Sequence, residues 1–418
     1  MKRIASLIAL FFAAVCGITA AAQTGLAQRP EFDYIAGTEG RRACLRLPRG
    51  SQEVKALLYC HQNMTEEVLF RSPAFCSRMD SAGVAMAFIQ NGSQNWDTAD
   101  GCQQRFDSII ADFARATEHP EIATAPVIPF GHSAQATFPW NFAAWNPDRT
   151  LCIISFHGDA PRTNLCGYGR ANVEWGRTRN IDRIPGLMIE GEYEWWEARV
   201  RPALAFRMMY PESRISFLCD AGKGHFDLCD ETLDYIARFI EKSLADPRPE
   251  GGVYYSRWSE DGSESTDPHD MFWYHDREMA DLTRARYRQS LGKRMQYLSA
   301  RVNGVPVVYN PDSHIKIIAG IDSDEFTVEP FFADEQRRNA SNDHAPVRPR
   351  VTLISGPAIQ TGEYTFRIDP DYFGADPRRL WSGITLCIEA PGASVYKSAV
   401  QEINLRPVTK KKKNMTYY

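Results

Sequence analysis

The stretch Ala125-Pro-Val-Ile-Pro-Phe130-Gly131-His132-Ser133-Ala134-Gln135 decides how the chain is read. An apolar run ends at Phe130, and the residues from Ala136 to Ala144 follow with the composition of a helix despite Pro139. Between them stands a serine, with a glycine two positions before it. A sharp strand-to-helix turn of this kind lifts a hydroxyl clear of a sheet and places it at a helix N-terminus. The usual pattern is G-x-S-x-G, and here Gln135 replaces the last glycine. That glycine mainly permits close helix–strand approach, so the departure weakens the motif without removing it. Gly-x-Ser is common by itself, and its surroundings must decide.

Working outward, short apolar runs recur at Ala56–Cys60, Val84–Ile89, Leu151–Phe156, Gly186–Ile189 and Ile215–Cys219. Continuous apolar runs of this length suit strands covered on both faces. Helical spacing lies between them: Phe106, Ile109, Ile110 and Phe113, then Leu233, Ile236, Phe239 and Ile240. Alternating strands and helices predict an α/β unit with a mostly parallel sheet and right-handed crossovers over residues 23–245. Ligands in such sheets gather at the carboxyl ends of the strands, where Ser133 is expected.

A serine hydroxyl is a poor nucleophile until a base takes its proton. Gly224-His225-Phe226 follows the last strand-like run and precedes a helix beginning near Asp230, so His225 is the expected base among nine histidines. An acid must hold the imidazole tautomer and stabilise its charged form. The stretch Glu190-Gly191-Glu192-Tyr193-Glu194 follows a strand, and Glu194 has the strand-Gly-x-x-acid spacing. Glu192 and Asp159 are the alternatives. The order serine, acid, histidine is that of one known hydrolase architecture. An oxyanion needs amide donors. The N–H of Ala134 is one expectation, and the loop after Tyr59-Cys60-His61 supplies Gln62 or Asn63 as the other.

The first 22 residues read as an export signal: Lys2 and Arg3, an apolar stretch Ile4–Val15, then Ala20-Ala21-Ala22. The apolar stretch is too short to span a bilayer. A lipid anchor at Cys16 is the less favoured alternative, and the expected location is periplasmic or secreted. Of ten cysteines, cleavage removes Cys16 and leaves nine. Pairs such as Cys76–Cys102 or Cys219–Cys229 are open, although several cysteines sit in apolar runs and suit buried packing. The 418 residues carry a formal charge of −4, which argues against nucleic acid as a partner. No CxxC or HExxH spacing occurs, so no metal is expected.

Beyond residue 245 the composition changes. Residues 246–294 read as a linker with a helix from Met271 to Gln289. Residues 295–418 carry short strand-like runs at Val305–Tyr309, Ile315–Ile318, Phe326–Phe332, Val351–Ile354, Tyr364–Ile368 and Ile384–Ile388. These predict a C-terminal β-sandwich-like domain, expected to buttress the first unit rather than bind a ligand. Lys410–Lys413 read as a solvated tail.

Residues 40–245 resemble the α/β-hydrolase superfamily, on Cys60-His61-Gln62-Asn63-Met64-Thr65, Phe130-Gly131-His132-Ser133-Ala134 and Gly191-Glu192-Tyr193-Glu194. Within it, these motifs resemble exported hydrolases of gut Bacteroidetes, and among those the α/β-hydrolase pectin methylesterases acting on rhamnogalacturonan-II. The resemblance implies a serine esterase that needs no cofactor and acts on plant cell-wall polysaccharide. Arg162, Arg170, Arg177, Arg179 and Arg183 lie where a cap over the site is expected, and guanidinium groups suit uronate carboxylates. A solvated charged surface is the other reading of them. Trp96, Tyr168, Trp175, Trp195 and Trp196 could stack on sugar rings or simply pack. The expected substrate contacts are thus Trp96, Arg177 and Trp195. A carbohydrate acetylesterase with the same triad, and a catalytically silent glycan-binding protein of this fold, are the rival readings.

Overall fold

Six fully buried residues, Val127–His132, form the strand β5 that leads into Ser133. The computed structural model describes residues 30–38, 41–50, 53–63, 65–93, 95–163, 172–191, 196–220, 228, 230–256, 266–288, 297–307, 317–321, 323–333, 348–369, 384–389 and 400–407. The strands before β5 are Tyr34–Ala36 (β1), Ala43–Arg46 (β2), Ala56–His61 (β3) and Val84–Ile89 (β4); those after it are Ile153–Phe156 (β6), Pro185–Gly191 (β7) and Arg214–Asp220 (β8). They build an eight-stranded sheet in the order β1-β2-β4-β3-β5-β6-β7-β8. β2 runs antiparallel to β1 and β4, and β3 to β8 run parallel. This is the α/β-hydrolase fold.

Strand alternation divides the core between two faces. In β3, Leu58 and Cys60 join one buried cluster, whereas Leu57 and Tyr59 join another. The helices are Glu66–Arg71 (α1), Pro73–Ala82 (α2), Cys102–Ala116 (α3), Phe138–Trp145 (α4), Trp196–Met209 (α5) and Asp230–Ala245 (α6). Phe106, Ile110 and Phe113 of α3 pack on one face with Leu57 and Tyr59. Leu233, Ile236, Phe239 and Ile240 of α6 pack on the other with Leu58 and Cys60, as their spacing predicts.

The stretch expected as a linker is part of this core. Val253–Ser256 (β9) pairs antiparallel with Met271–Tyr274 (β10), and Arg277–Arg288 (α7) follows. The helix expected from Met271 therefore starts at Arg277, after an aromatic strand. Strand preference of Phe272, Trp273 and Tyr274 wins there, and Asp276 accepts the N–H of Met279 to start the helix (3.1 Å). The Ser216 hydroxyl donates to the Trp273 carbonyl (2.6 Å) and the Tyr274 hydroxyl to the Phe217 carbonyl (2.8 Å), which fastens β10 beside β8.

The C-terminal strands form two sheets. Tyr297–Val302 (β11), Val305–Val307 (β12), Glu325–Ala333 (β14), Ala358–Gln360 (β16) and Thr365–Ile368 (β17) make one, in the order β12-β11-β14-β17-β16. Ile317–Ile321 (β13), Arg350–Ser355 (β15), Ile384–Glu389 (β18) and Val400–Pro407 (β19) make the other, in the order β13-β19-β18-β15. Val302, Phe326, Val328 and Phe366 of the first share a core with Leu353, Leu386 and Ile388 of the second. β11, β16 and β19 have no counterpart among the expected strand-like runs. The neighbouring Ile354 faces away and joins the core of the hydrolase unit.

Cysteines 44, 60, 76, 102, 152 and 219 are buried and free, so Cys76 and Cys102 do not pair. Cys229, the export signal and the lysine run lie outside the described residues. Among the described residues no helix is long and apolar enough to cross a membrane.

Candidate active site

β5 ends at His132, a 3-10 turn takes Ser133–Gln135, and α4 begins at Phe138. Ser133 has φ +53°, the left-handed region that residues with a side chain rarely occupy. Such strain costs on the order of 1–3 kcal/mol and persists only where the surroundings over-determine it. Gly131 is one cause. A Cβ there would lie 2.0 Å from the carbonyl oxygen of Gln135, so the turn can fold back on β5 only over a glycine. Gln135, at the place of the usual second glycine, is buried beside the turn. Ala134 sits in the first turn after His132, where backbone N–H groups have no partner within the helix.

The loop after β3 holds a second set of contacts. Glu66 is 1% exposed. Its Oε1 accepts the N–H of His132 (3.0 Å), and its Oε2 accepts the N–H groups of Asn63 (2.9 Å) and Thr65 (3.2 Å). Burial raises the Glu66 carboxyl and these N–H bonds pull it back, leaving it at about 7. The Asn63 side-chain amide donates to the carbonyl of His132 (2.8 Å). The N–H of Gln62 donates to the carbonyl of Ile89 (2.8 Å). Both loop N–H groups expected to face an oxyanion are thus already bonded within the protein. The expectation that Gln62 or Asn63 supplies that donor is corrected: the loop folds back on its own glutamate. Sequence reading passed over Glu66, although the spacing Asn63-x-x-Glu66 resembles a capping box and signals a carboxylate turned onto the preceding backbone.

His61 is fully buried and held down to about 4, chiefly by desolvation. Its Nδ1 donates to the Ser93 carbonyl (3.0 Å), and its ring stacks on Phe138 with centroids 3.9 Å apart. It stays neutral and braces the first turn of α4. Asp159, an alternative triad acid, is fully buried after β6 and accepts from the Thr137 hydroxyl (3.0 Å). Glu190 is fully buried on β7 and pairs with Arg199 of α5 (2.8 Å).

His225, Glu194, its alternative Glu192, and Trp195 lie outside the described residues, as do Tyr168 and Arg170. Trp96 does not form an exposed rim. It is 1% exposed and packs among Phe106, Phe138 and Phe142, so the expectation that it stacks on substrate is corrected. The reason is its place between α3 and α4, where an indole fills core volume. Trp175 is buried too and donates to the Asn141 side chain (2.7 Å). Arg162 donates to the Tyr210 hydroxyl, Arg179 lies over the Trp145 ring and Arg183 donates to the Arg248 carbonyl. Arg177 is exposed.

No family model matches the chain, and no curated protein matches its sequence. Solved structures similar to it include esterase PE8, at 14% identity over 50% of this chain and 98% of that chain, with a TM-score of 0.34. The metagenomic carboxylesterase EstE1 has 12% identity over 55% of this chain and 93% of that one, with a TM-score of 0.35. An esterase from the archaeon Pyrobaculum calidifontis has 13% identity over 54% of this chain and 88% of that one, with a TM-score of 0.37. At such distance they say nothing of this chain's reaction.

Proposed function

We propose that this protein is an exported serine carboxylester hydrolase with Ser133 as nucleophile, and more specifically a methylesterase of pectic polysaccharide. The observation that carries the reading is the strained Ser133 on the turn between β5 and α4, over Gly131. A serine at φ +53° at the carboxyl end of a central strand has the strained strand-to-helix turn that an exposed nucleophile requires.

In the mechanism, the Ser133 oxygen attacks the ester carbonyl carbon while His225 takes its proton. The tetrahedral oxyanion accepts the N–H of Ala134. His225 then gives the proton to the departing methanol, leaving an acyl-enzyme. Water attacks that ester, its proton passing through His225, and releases the uronic acid and free Ser133. Glu194 orients His225 throughout. No step calls for a metal or cofactor. The pectic form is supported by the motif resemblance and by Arg177, an exposed arginine between β6 and β7 whose guanidinium suits a uronate carboxylate.

The test is labelling by a fluorophosphonate probe, followed by methanol and acetate release from pectic fragments. Ser133→Ala is expected to abolish labelling and to lower ester cleavage by roughly 10³-fold or more. Acetate without methanol would replace the methylesterase by an acetylesterase. Native protein that resists the probe would point to a silent glycan-binding protein instead.

A further inference from the structure

β3 pairs with β5 only as far as Cys60 opposite Phe130. On that side of β5, the peptide groups of His132 therefore lie beyond the last strand partner, directly before the strained serine. Two side chains take the place of the missing strand. The Glu66 carboxylate accepts the His132 N–H and the Asn63 amide donates to the His132 carbonyl. The same carboxylate grips Asn63 and Thr65 by their N–H groups. Glu66 is thus bonded at once to the loop after β3 and to the residue that sets the path of the chain into Ser133.

We propose that Glu66 and Asn63 are positioning residues for the Ser133 turn, forming a side-chain clamp across the carboxyl ends of β3 and β5. The inference rests on Ser133 being the nucleophile. A residue at φ +53° can relax by rotating the peptide before it, and that peptide belongs to His132. Asn63 holds the C=O of that peptide, and Glu66 holds the His132 N–H of the peptide one step earlier, so both peptides leading into Ser133 are fixed against rotation. Among the described residues Glu66 forms no ion pair; its bonds are to backbone N–H groups on two segments. Glu66→Gln keeps the shape but turns one acceptor into a donor, facing an N–H with an N–H.

The experiment uses the full chain, with fluorophosphonate labelling of Ser133 and hydrolysis of p-nitrophenyl acetate as readouts. Glu66→Gln is expected to keep native circular dichroism while kcat and the labelling rate fall about tenfold or more, with KM within about twofold of the parent. Asn63→Ala, at a half-buried position, is expected to fold and to lower kcat in the same direction by a smaller factor. Should Glu66→Gln fail to fold, Asn63→Ala decides alone. Labelled parent protein whose variants keep the parental kcat overturns the clamp and leaves the esterase reading standing. Parent protein that the probe does not label overturns the nucleophile, and the clamp falls with it.

Discussion

At the level of single residues, the turn into Ser133 is held by side chains that hydrogen-bond backbone. Glu66 illustrates the energetic consequence. Its carboxyl is raised from 4.5 to about 7, first by burial. A carboxyl raised in the folded state keeps its proton there longer than in the unfolded chain, so stability falls as pH rises from about 4.5 to 7. Each tenfold gain in proton affinity is worth about 1.4 kcal/mol, so the loss approaches roughly 3 kcal/mol. Glu66→Gln carries no such charge. Urea denaturation at about pH 5 and pH 8 is therefore expected to show the parent losing ground to the variant by an amount of that order, and an unchanged difference would contradict it. Gly131 gives a second residue-scale prediction. A Cβ there meets the Gln135 carbonyl at 2.0 Å, and backbone cannot step aside as a flexible side chain can. Gly131→Ala is expected to cost about 2 kcal/mol or more and to abolish probe labelling.

Among the elements, α1 joins the two halves of the protein. Its first residue, Glu66, clamps the site, and its last, Arg71, is buried against the sandwich. Arg71 bonds the Glu67 carboxylate at 2.6 Å, with side-chain exposures of 2% and 4%, and donates to the Ala358 carbonyl of β16 (3.3 Å). Removing one partner of a buried pair leaves an unmatched charge, so Arg71→Ala is expected to destabilise by about 3 kcal/mol. The double change Glu67→Gln with Arg71→Met is expected to recover most of that in the same denaturation experiment. No recovery would mean that the guanidinium acts mainly through Ala358. The β9–β10 hairpin carries a related lesson. Met271–Tyr274 followed by Asp276 is legible as strand and helix start, yet the apolar residues recurring from Met271 to Leu282 read equally as one helix. Bonding of Trp273 and Tyr274 to Ser216 and Phe217 separates the two.

In the whole molecule, the sandwich is built onto the hydrolase unit rather than tethered to it. Ile354 of β15 is wholly buried in the hydrolase core, and Arg350 reaches Asp230 at the start of α6 (3.8 Å). A chain ending before Tyr297 is expected to melt roughly 5 °C or more below the full chain, because Arg71 and the apolar face around it lose their cover. An unchanged melting temperature would make the sandwich an independent passenger. The six buried free thiols among the described residues give a further expectation: the unreduced protein, unfolded in guanidinium, should react with a thiol reagent at six or more sites.

The alternation of apolar runs and helical spacings was enough to establish the parallel sheet, because burial on both faces leaves a mark in every strand. The Gly131-His132-Ser133 step was legible for a similar reason, since a chain reversal this tight demands glycine at a definite place. What sequence could not supply was which partner each polar group takes. Trp96 reads as rim or core until α3 and α4 close around it, and the N–H groups of Gln62 and Asn63 read as free until Ile89 and Glu66 claim them. Hydrogen bonds between segments tens of residues apart depend on three-dimensional proximity, which periodicity along the chain does not encode.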